Sequence, residues 1–203
     1  MTMAEETGQR TANVHRTTGE TDIELVLMLD GKGALSGTTG IGFFDHMLGL
    51  FAKHGGMSIE LDCTGDLHVD GHHTVEDVGI CLGRALADSL GEKKGIRRYG
   101  MAYVPMDECL ARAVVDLSGR GHSVISAEIA AERVGDLEVD LAWEFFRALA
   151  ANARLNLHLD LLRSGNAHHA VEACFKAVAR ALAEAVAIDP ARAEEVPSTK
   201  GVL

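Results

Sequence analysis

Two short stretches of this chain carry residue types that bind transition metals, and they carry them in the same order. Gly71-His72-His73-Thr74-Val75-Glu76 is matched far downstream by Ala167-His168-His169-Ala170-Val171-Glu172. Imidazole nitrogen suits manganese, iron or zinc, and an added carboxylate favours the harder end of that series. In a helix, residues four apart return to nearly the same face, so His72 and Glu76 can grip one ion together. His73 points about a quarter-turn away, where it either packs or reaches a second ion. His169 and Glu172, three apart, are close enough to share a face in the other copy. One histidine pair at a helix start could serve merely as a cap or a solvated group. A pair repeated together with its glutamate has no such packing reason.

Each half adds a histidine upstream of its doublet: His46 in Phe44-Asp45-His46-Met47-Leu48 and His122 in Gly119-Arg120-Gly121-His122. The histidines and glutamates then divide into two sets of three nitrogens and one carboxylate oxygen. Such a set leaves positions open on an octahedral ion, as a metal that binds substrate requires.

The doublets need helices to present them. Each leads into an alanine- and leucine-rich run, Leu82-Gly83-Arg84-Ala85-Leu86-Ala87 and Val178-Ala179-Arg180-Ala181-Leu182-Ala183, so the repeat is a structural unit. Periodicity predicts helices over about 74–90, 44–54, 141–151 and 169–187. Extended segments are predicted over 12–18, 23–29, 57–62, 98–104, 110–117, 123–129 and 155–161. Thr38-Thr39-Gly40-Ile41-Gly42 reads as a flexible loop and Gly91-Glu92-Lys93-Lys94-Gly95 as a charged link between halves. The expected organisation is a disordered arm over 1–10, a first half over 11–92, a second over 93–190 and a C-terminal loop over 191–203. Each half follows the order βββαβα, an α+β unit whose mixed sheet carries helices on one face. The bare helical faces would be buried half against half or subunit against subunit, which points to a homo-oligomer.

Composition narrows the partners. The chain has 203 residues, 47% of them hydrophobic, with a net charge of −11. That balance argues against nucleic acid or an anionic membrane as a partner, and an anionic ligand would need a local basic pocket. Four cysteines lie far apart with no Cys-x-x-Cys pair, the pattern of free buried thiols in a reducing cytoplasm. No signal peptide and no membrane-spanning run is present in the sequence, which fits a cytoplasmic protein.

Five motifs taken together resemble the imidazoleglycerol-phosphate dehydratases of histidine biosynthesis. They are Thr38-Thr39-Gly40-Ile41-Gly42-Phe43-Phe44-Asp45-His46-Met47-Leu48, Asp70-Gly71-His72-His73-Thr74-Val75-Glu76-Asp77, Met106-Asp107-Glu108-Cys109-Leu110-Ala111-Arg112, Asn166-Ala167-His168-His169-Ala170-Val171-Glu172 and Pro197-Ser198-Thr199-Lys200-Gly201. The order is the family's from Arg16 to Gly201; the departure is Gly121, where proline is common before the histidine.

The resemblance implies two fused pseudo-repeats of ferredoxin-like or ribosomal protein S5 domain 2-like form. It implies a carbon–oxygen lyase that dehydrates D-erythro-imidazole-glycerol phosphate to imidazole acetol phosphate through a metal-bridged imidazolate and diazafulvene. Two Mn²⁺ ions per active site and a 24-subunit assembly with 432 symmetry, its active sites between subunits, are implied with it. One ion would take His46, His73, His168 and Glu172, and the other His72, Glu76, His122 and His169. Glu20, Glu76, Glu172, His46 and His73 would be catalytic. Glu20 would face the reacting carbons as base, and Arg98, Arg120, Ser198 and Lys200 would hold the phosphate. Asp107 and Glu108 read as structural residues that orient metal ligands. A metal-dependent phosphoester hydrolase and a non-catalytic metal-binding shell protein are the competing classes. The first would release phosphate; the second would leave the basic residues without a role.

Overall fold

The computed structural model describes residues 10–203, so the arm expected over 1–10 lies outside the described residues apart from Arg10. The first half contains β1 (Thr11–Thr17), β2 (Thr21–Met28), β3 (Ala34–Thr38), α1 (Gly42–Gly55), β4 (Ser58–Gly65) and α2 (His72–Leu90). The second contains β5 (Tyr99–Met106), β6 (Cys109–Asp116), β7 (His122–Ser126), a hairpin of β8 (Arg133–Val134) and β9 (Leu137–Glu138), α3 (Val139–Asn152), β10 (Asn156–Arg163) and α4 (Ala167–Val186).

The strands form two four-stranded sheets of the same topology, β1-β2-β4-β3 and β5-β6-β10-β7. In each the last strand runs parallel to its neighbour and the others are antiparallel. The βββαβα order thus recurs, with the β8–β9 hairpin inserted in the second half alone. Alternation announced the central strands, because β2 and β6 bury every other residue. It could not announce β3, an edge strand whose residues are almost all exposed and which holds its place by pairing with β4.

The helices of each half lie on their own sheet and meet those of the other half, α2 against α3 and α1 against α4. Gly79 and Gly83 permit the first contact, since a Cβ on either would lie 2.8 Å from the Phe145 carbonyl oxygen or 2.7 Å from that of Leu149. At the seam Phe44, Phe51, Phe145, Phe146 and Phe175 interlock, with ring centroids 4.6–6.2 Å apart. The helical faces are therefore buried within the chain, half against half.

A group of apolar residues remains uncovered on the outer face of the second sheet. Met101, Val114, His158 and Val124 form one row across it, flanked by exposed Tyr99 and Tyr103. The charged link is also more integrated than its composition suggests: Lys93 is buried and donates to the Leu117 carbonyl at 3.1 Å. All four cysteines are free, and Cys63, expected to be buried, is only half-buried. Burial pushes the Cys63 thiol up to about 12 and that of Cys81 up to about 11, which keeps them protonated. No helix among the described residues is long and apolar enough to cross a membrane.

Candidate metal centre

The packing of α1 on α4 brings together side chains far apart in sequence. His46, one turn into α1, lies beside His168 and Glu172 of α4. Glu172 Oε2 is 3.5 Å from His46 Nε2 and 3.2 Å from His168 Nε2. Phe43 packs edge-on against His168 with ring centroids 5.1 Å apart. Glu172 is buried at 6% exposure. Burial acts to raise its carboxyl, but Lys176, whose Nζ lies on Oε1, and His168 outweigh that and hold it below the usual carboxylate range. The pairing in α4 is thus His168 with Glu172 at i, i+4 rather than His169 with Glu172, which mirrors His72 with Glu76 in α2.

Each doublet is set by its helix start. The Asn166 side chain accepts from the backbone N–H of His168 at 2.9 Å and of His169 at 3.4 Å. Asp70 accepts from the His72 N–H at 2.8 Å. In α2, His72 Nε2 is 3.8 Å from Glu76 Oε2, both half exposed. His73 turns its ring almost perpendicular to that of His72, at 88°, and lies between Asp66 and Glu20. Its Nδ1 is 3.0 Å from Asp66 Oδ2 and its Nε2 is 3.5 Å from Glu20 Oε1. Asp66 raises the His73 pKa.

Glu20 is exposed, in the β1–β2 turn. Thr21 Oγ1 donates to Asp77 Oδ2 at 2.5 Å and Arg16 Nη2 is 2.9 Å from Asp77 Oδ1, which ties this turn to α2. His169 faces the β5–β6 turn, with its Nδ1 3.1 Å from Glu108 Oε2 and 3.8 Å from Asp107 Oδ2. The Asn166 N–H and the Glu108 backbone, together with His169, hold the Glu108 carboxyl at about 2.

Two groups of three potential ligands converge among the described residues: His46, His168 and Glu172, and Asp107, Glu108 and His169. The first fits a divalent ion. Bonds of about 2.1 Å place neighbouring octahedral ligands about 3 Å apart, close to the separations found there. One chain brings His73 to neither His46 nor Glu172, and it leaves the His72–Glu76 pair, His122 and His169 apart from one another.

His122 stands at the head of β7, exposed, its N–H bonded to the Leu155 carbonyl at 3.0 Å. It is not the repeat counterpart of His46, which sits on a helix. Gly121 lies against the Ala151 backbone, where a Cβ would be 2.7 Å from the Ala151 oxygen. The turn is tight there.

The basic residues gather at this end of the second sheet. Arg98 holds Asp116 at 2.7 and 3.2 Å and donates to the Pro197 carbonyl at 2.8 Å. Arg120 Nη1 points at the Ser118 carbonyl, 3.5 Å away. The tail runs beside them: Ser198 Oγ accepts from the Lys200 N–H at 3.2 Å, and Leu203 lies against Gly119.

Motif reading passed over several residues around these groups. Asp45 accepts from Thr38 Oγ1 and from Thr39 N and Oγ1 at 2.5–2.7 Å, so the loop expected to be flexible is pinned to α1. Asp136, at the tip of the β8–β9 hairpin, accepts from the N–H of Gly42 at 2.7 Å and of Phe43 at 2.8 Å. Lys176 was readable as the i, i+4 partner of Glu172. Nothing local marks Asp136.

A family model described as imidazoleglycerol-phosphate dehydratase matches residues 39–182. Among curated relatives, the imidazoleglycerol-phosphate dehydratase of Heliobacterium modesticaldum is 60% identical over 96% of this chain and all of its own length. That of Salinibacter ruber is 58% identical over 96% of each. The crystal structure of the Staphylococcus aureus enzyme superposes with a TM-score of 0.80 at 42% identity, covering 88% of this chain and 99% of its own. The Pyrococcus furiosus structure gives 0.80 at 36% identity over 94% and 100%. With the paired sheets, the doubled histidine motif and this similarity along nearly its whole length, the chain belongs to the imidazoleglycerol-phosphate dehydratase family.

Proposed function

We propose that this chain dehydrates D-erythro-imidazole-glycerol phosphate to imidazole acetol phosphate in histidine biosynthesis, at a dimanganese site completed between copies of the chain. The observation that carries the shared site is the distance between its parts. His122 pairs with Asn156 at the start of β10, while α4 begins beyond its end at Arg163. The seven steps of strand from Asn156 to Arg163, at about 3.3 Å each, separate these points by roughly 23 Å. A short imidazole phosphate ester cannot reach from His168 and His169 to Arg98, Arg120 and His122 of the same chain.

In this reading one ion takes His46, His73, His168 and Glu172, and the other His72, Glu76, His122 and His169, with neighbouring copies supplying what one chain keeps apart. The apolar row on the outer second sheet supports association, and a 24-subunit shell is the assembly proposed. When bound, the ions supply Lewis acidity to the ring nitrogens and stabilise negative charge there.

The chain's own residues supply the rest. The proton to be removed sits on a carbon without an adjacent carbonyl, so a positioned base is required. Glu20 is free of strong partners and faces His73 from outside, and it takes this proton. The neighbouring carbon loses its hydroxyl as water, and the resulting enol becomes the ketone. Arg98 and Arg120 hold the phosphate through guanidinium geometry, with Ser198 and Lys200 closing over it from the tail.

Manganese-loaded protein given the substrate should form imidazole acetol phosphate, and chelated protein should not. Release of inorganic phosphate instead would point to a hydrolase and refute the proposal. Subunit mixing tests the shared site: Glu172→Ala and His122→Ala chains, each inactive alone, should regain activity when assembled together.

A further inference from the structure

We propose that Asp66 and Glu108 are positioning carboxylates, each accepting the Nδ1–H of one histidine, His73 or His169, so that both rings present Nε2 to an ion. The inference deepens the dimanganese reading and rests on it. The distances are 3.0 Å from Asp66 Oδ2 to His73 Nδ1 and 3.1 Å from Glu108 Oε2 to His169 Nδ1. In neutral imidazole one nitrogen carries the proton and the other the lone pair, so an acceptor behind Nδ1 selects the tautomer whose Nε2 can bind metal.

Duplication alone does not account for the two carboxylates. The histidines recur in register, but Asp66 and Glu108 come from different elements. Asp66 follows β4 on the way into α2, and the position equally far ahead of the second doublet is Leu162. Glu108 sits in the β5–β6 turn, immediately before its strand, as Glu20 does in the β1–β2 turn. Glu20 faces the Nε2 side of His73, at 3.5 Å. The half that places its turn glutamate on the open side of the ring thus backs its histidine with Asp66. The other half uses the turn glutamate itself for that purpose. Two routes to one arrangement within a single chain point to the arrangement as what matters.

Both carboxylates are held for the task. The Asp66 side chain is mostly buried, at 16% exposure. Glu108 Oε1 accepts from the Asn166 N–H at 2.6 Å, leaving Oε2 aimed at the ring. Gly165 provides the space, for a Cβ there would stand 2.3 Å from Glu108 Cγ and 2.4 Å from Oε1.

The test is a Mn²⁺ titration of the full assembled protein, followed by the electron paramagnetic resonance signal of free Mn²⁺, with metal-free melting measured in parallel. Asp66→Ala and Glu108→Ala should each weaken binding about 10- to 100-fold. Asp66→Asn and Glu108→Gln, whose amide oxygens still accept from Nδ1–H, should recover part of that loss. Gly165→Ala keeps both carboxylates but pushes Glu108 aside, so it should also weaken binding, and it covers the case in which loss of the charge unfolds the chain. Variants that bind Mn²⁺ within twofold of wild type, or that lose melting temperature alone, would overturn the positioning role. Wild-type protein that binds no Mn²⁺ would sink the metal reading as well, so the two failures are distinguishable.

Discussion

Replacing Asp136 with alanine should loosen α1, the helix that carries His46. Ile41, at the N-cap position, offers no side-chain acceptor, so the first N–H groups of α1 depend on an aspartate from the other half. Asp136 accepts from Gly42 and Phe43 at 2.7 and 2.8 Å, a carboxylate at the positive end of a helix dipole. Loss of a cap costs about 0.5–2 kcal/mol. Asp136 is exposed, so solvent screening places the expected loss near the middle of that range, about 1 kcal/mol. In a chain of this length that lowers Tm by about 2–4 °C. The Phe43 N–H, joined by that of Gly42, holds the Asp136 carboxyl below its ordinary 3.8 against the opposing effect of burial. A depressed carboxyl contributes stability that is present above the unfolded-state pKa and is lost as pH falls through the folded one. Differential scanning calorimetry of the metal-free wild-type and Asp136→Ala proteins should therefore show the full difference at pH 7 and a shrinking one below about pH 4. Equal melting at pH 7, or a gap that persists undiminished in acid, would refute the cap.

Glu20→Gln should keep its affinity for Mn²⁺ and substrate while losing nearly all turnover; a wild-type kcat would remove Glu20 from the role of base. Arg98→Ala gives up a charge-assisted contact to phosphate worth about 1.5–3 kcal/mol, so KM should rise about 10- to 100-fold, and an unchanged KM would place the phosphate elsewhere. Phe145→Ala empties the centre of the seam between halves, where the side chain is fully buried against four other phenylalanines. It should cost about 3–5 kcal/mol, read by thermal or denaturant unfolding, and a loss below about 1 kcal/mol would show that the seam is not the common core.

Local chemistry is written in local sequence, and much of this protein is local. The doublets had to start helices because Asn166 and Asp70 offer acceptors to their first N–H groups and because apolar residues recur behind them at helical spacing. Glu76 and Glu172 had to meet His72 and His168 because four residues of helix bring a side chain round to the same face. The repeat of strands and helices was readable for the same reason, except for β3, which buries too little to leave a pattern.

Tertiary packing decided what the letters could not. His46 meets Glu172 only because α1 lies on α4, and Asp136 reaches α1 only because a hairpin absent from the first half folds back over it. His122 and His169, assigned to one ion by the family resemblance, stand at opposite ends of one sheet because β10 holds them apart. Spacing along a chain governs which side chains share a face of one element. Which faces meet is settled by the burial of whole apolar surfaces, a sum over many residues that no short motif contains.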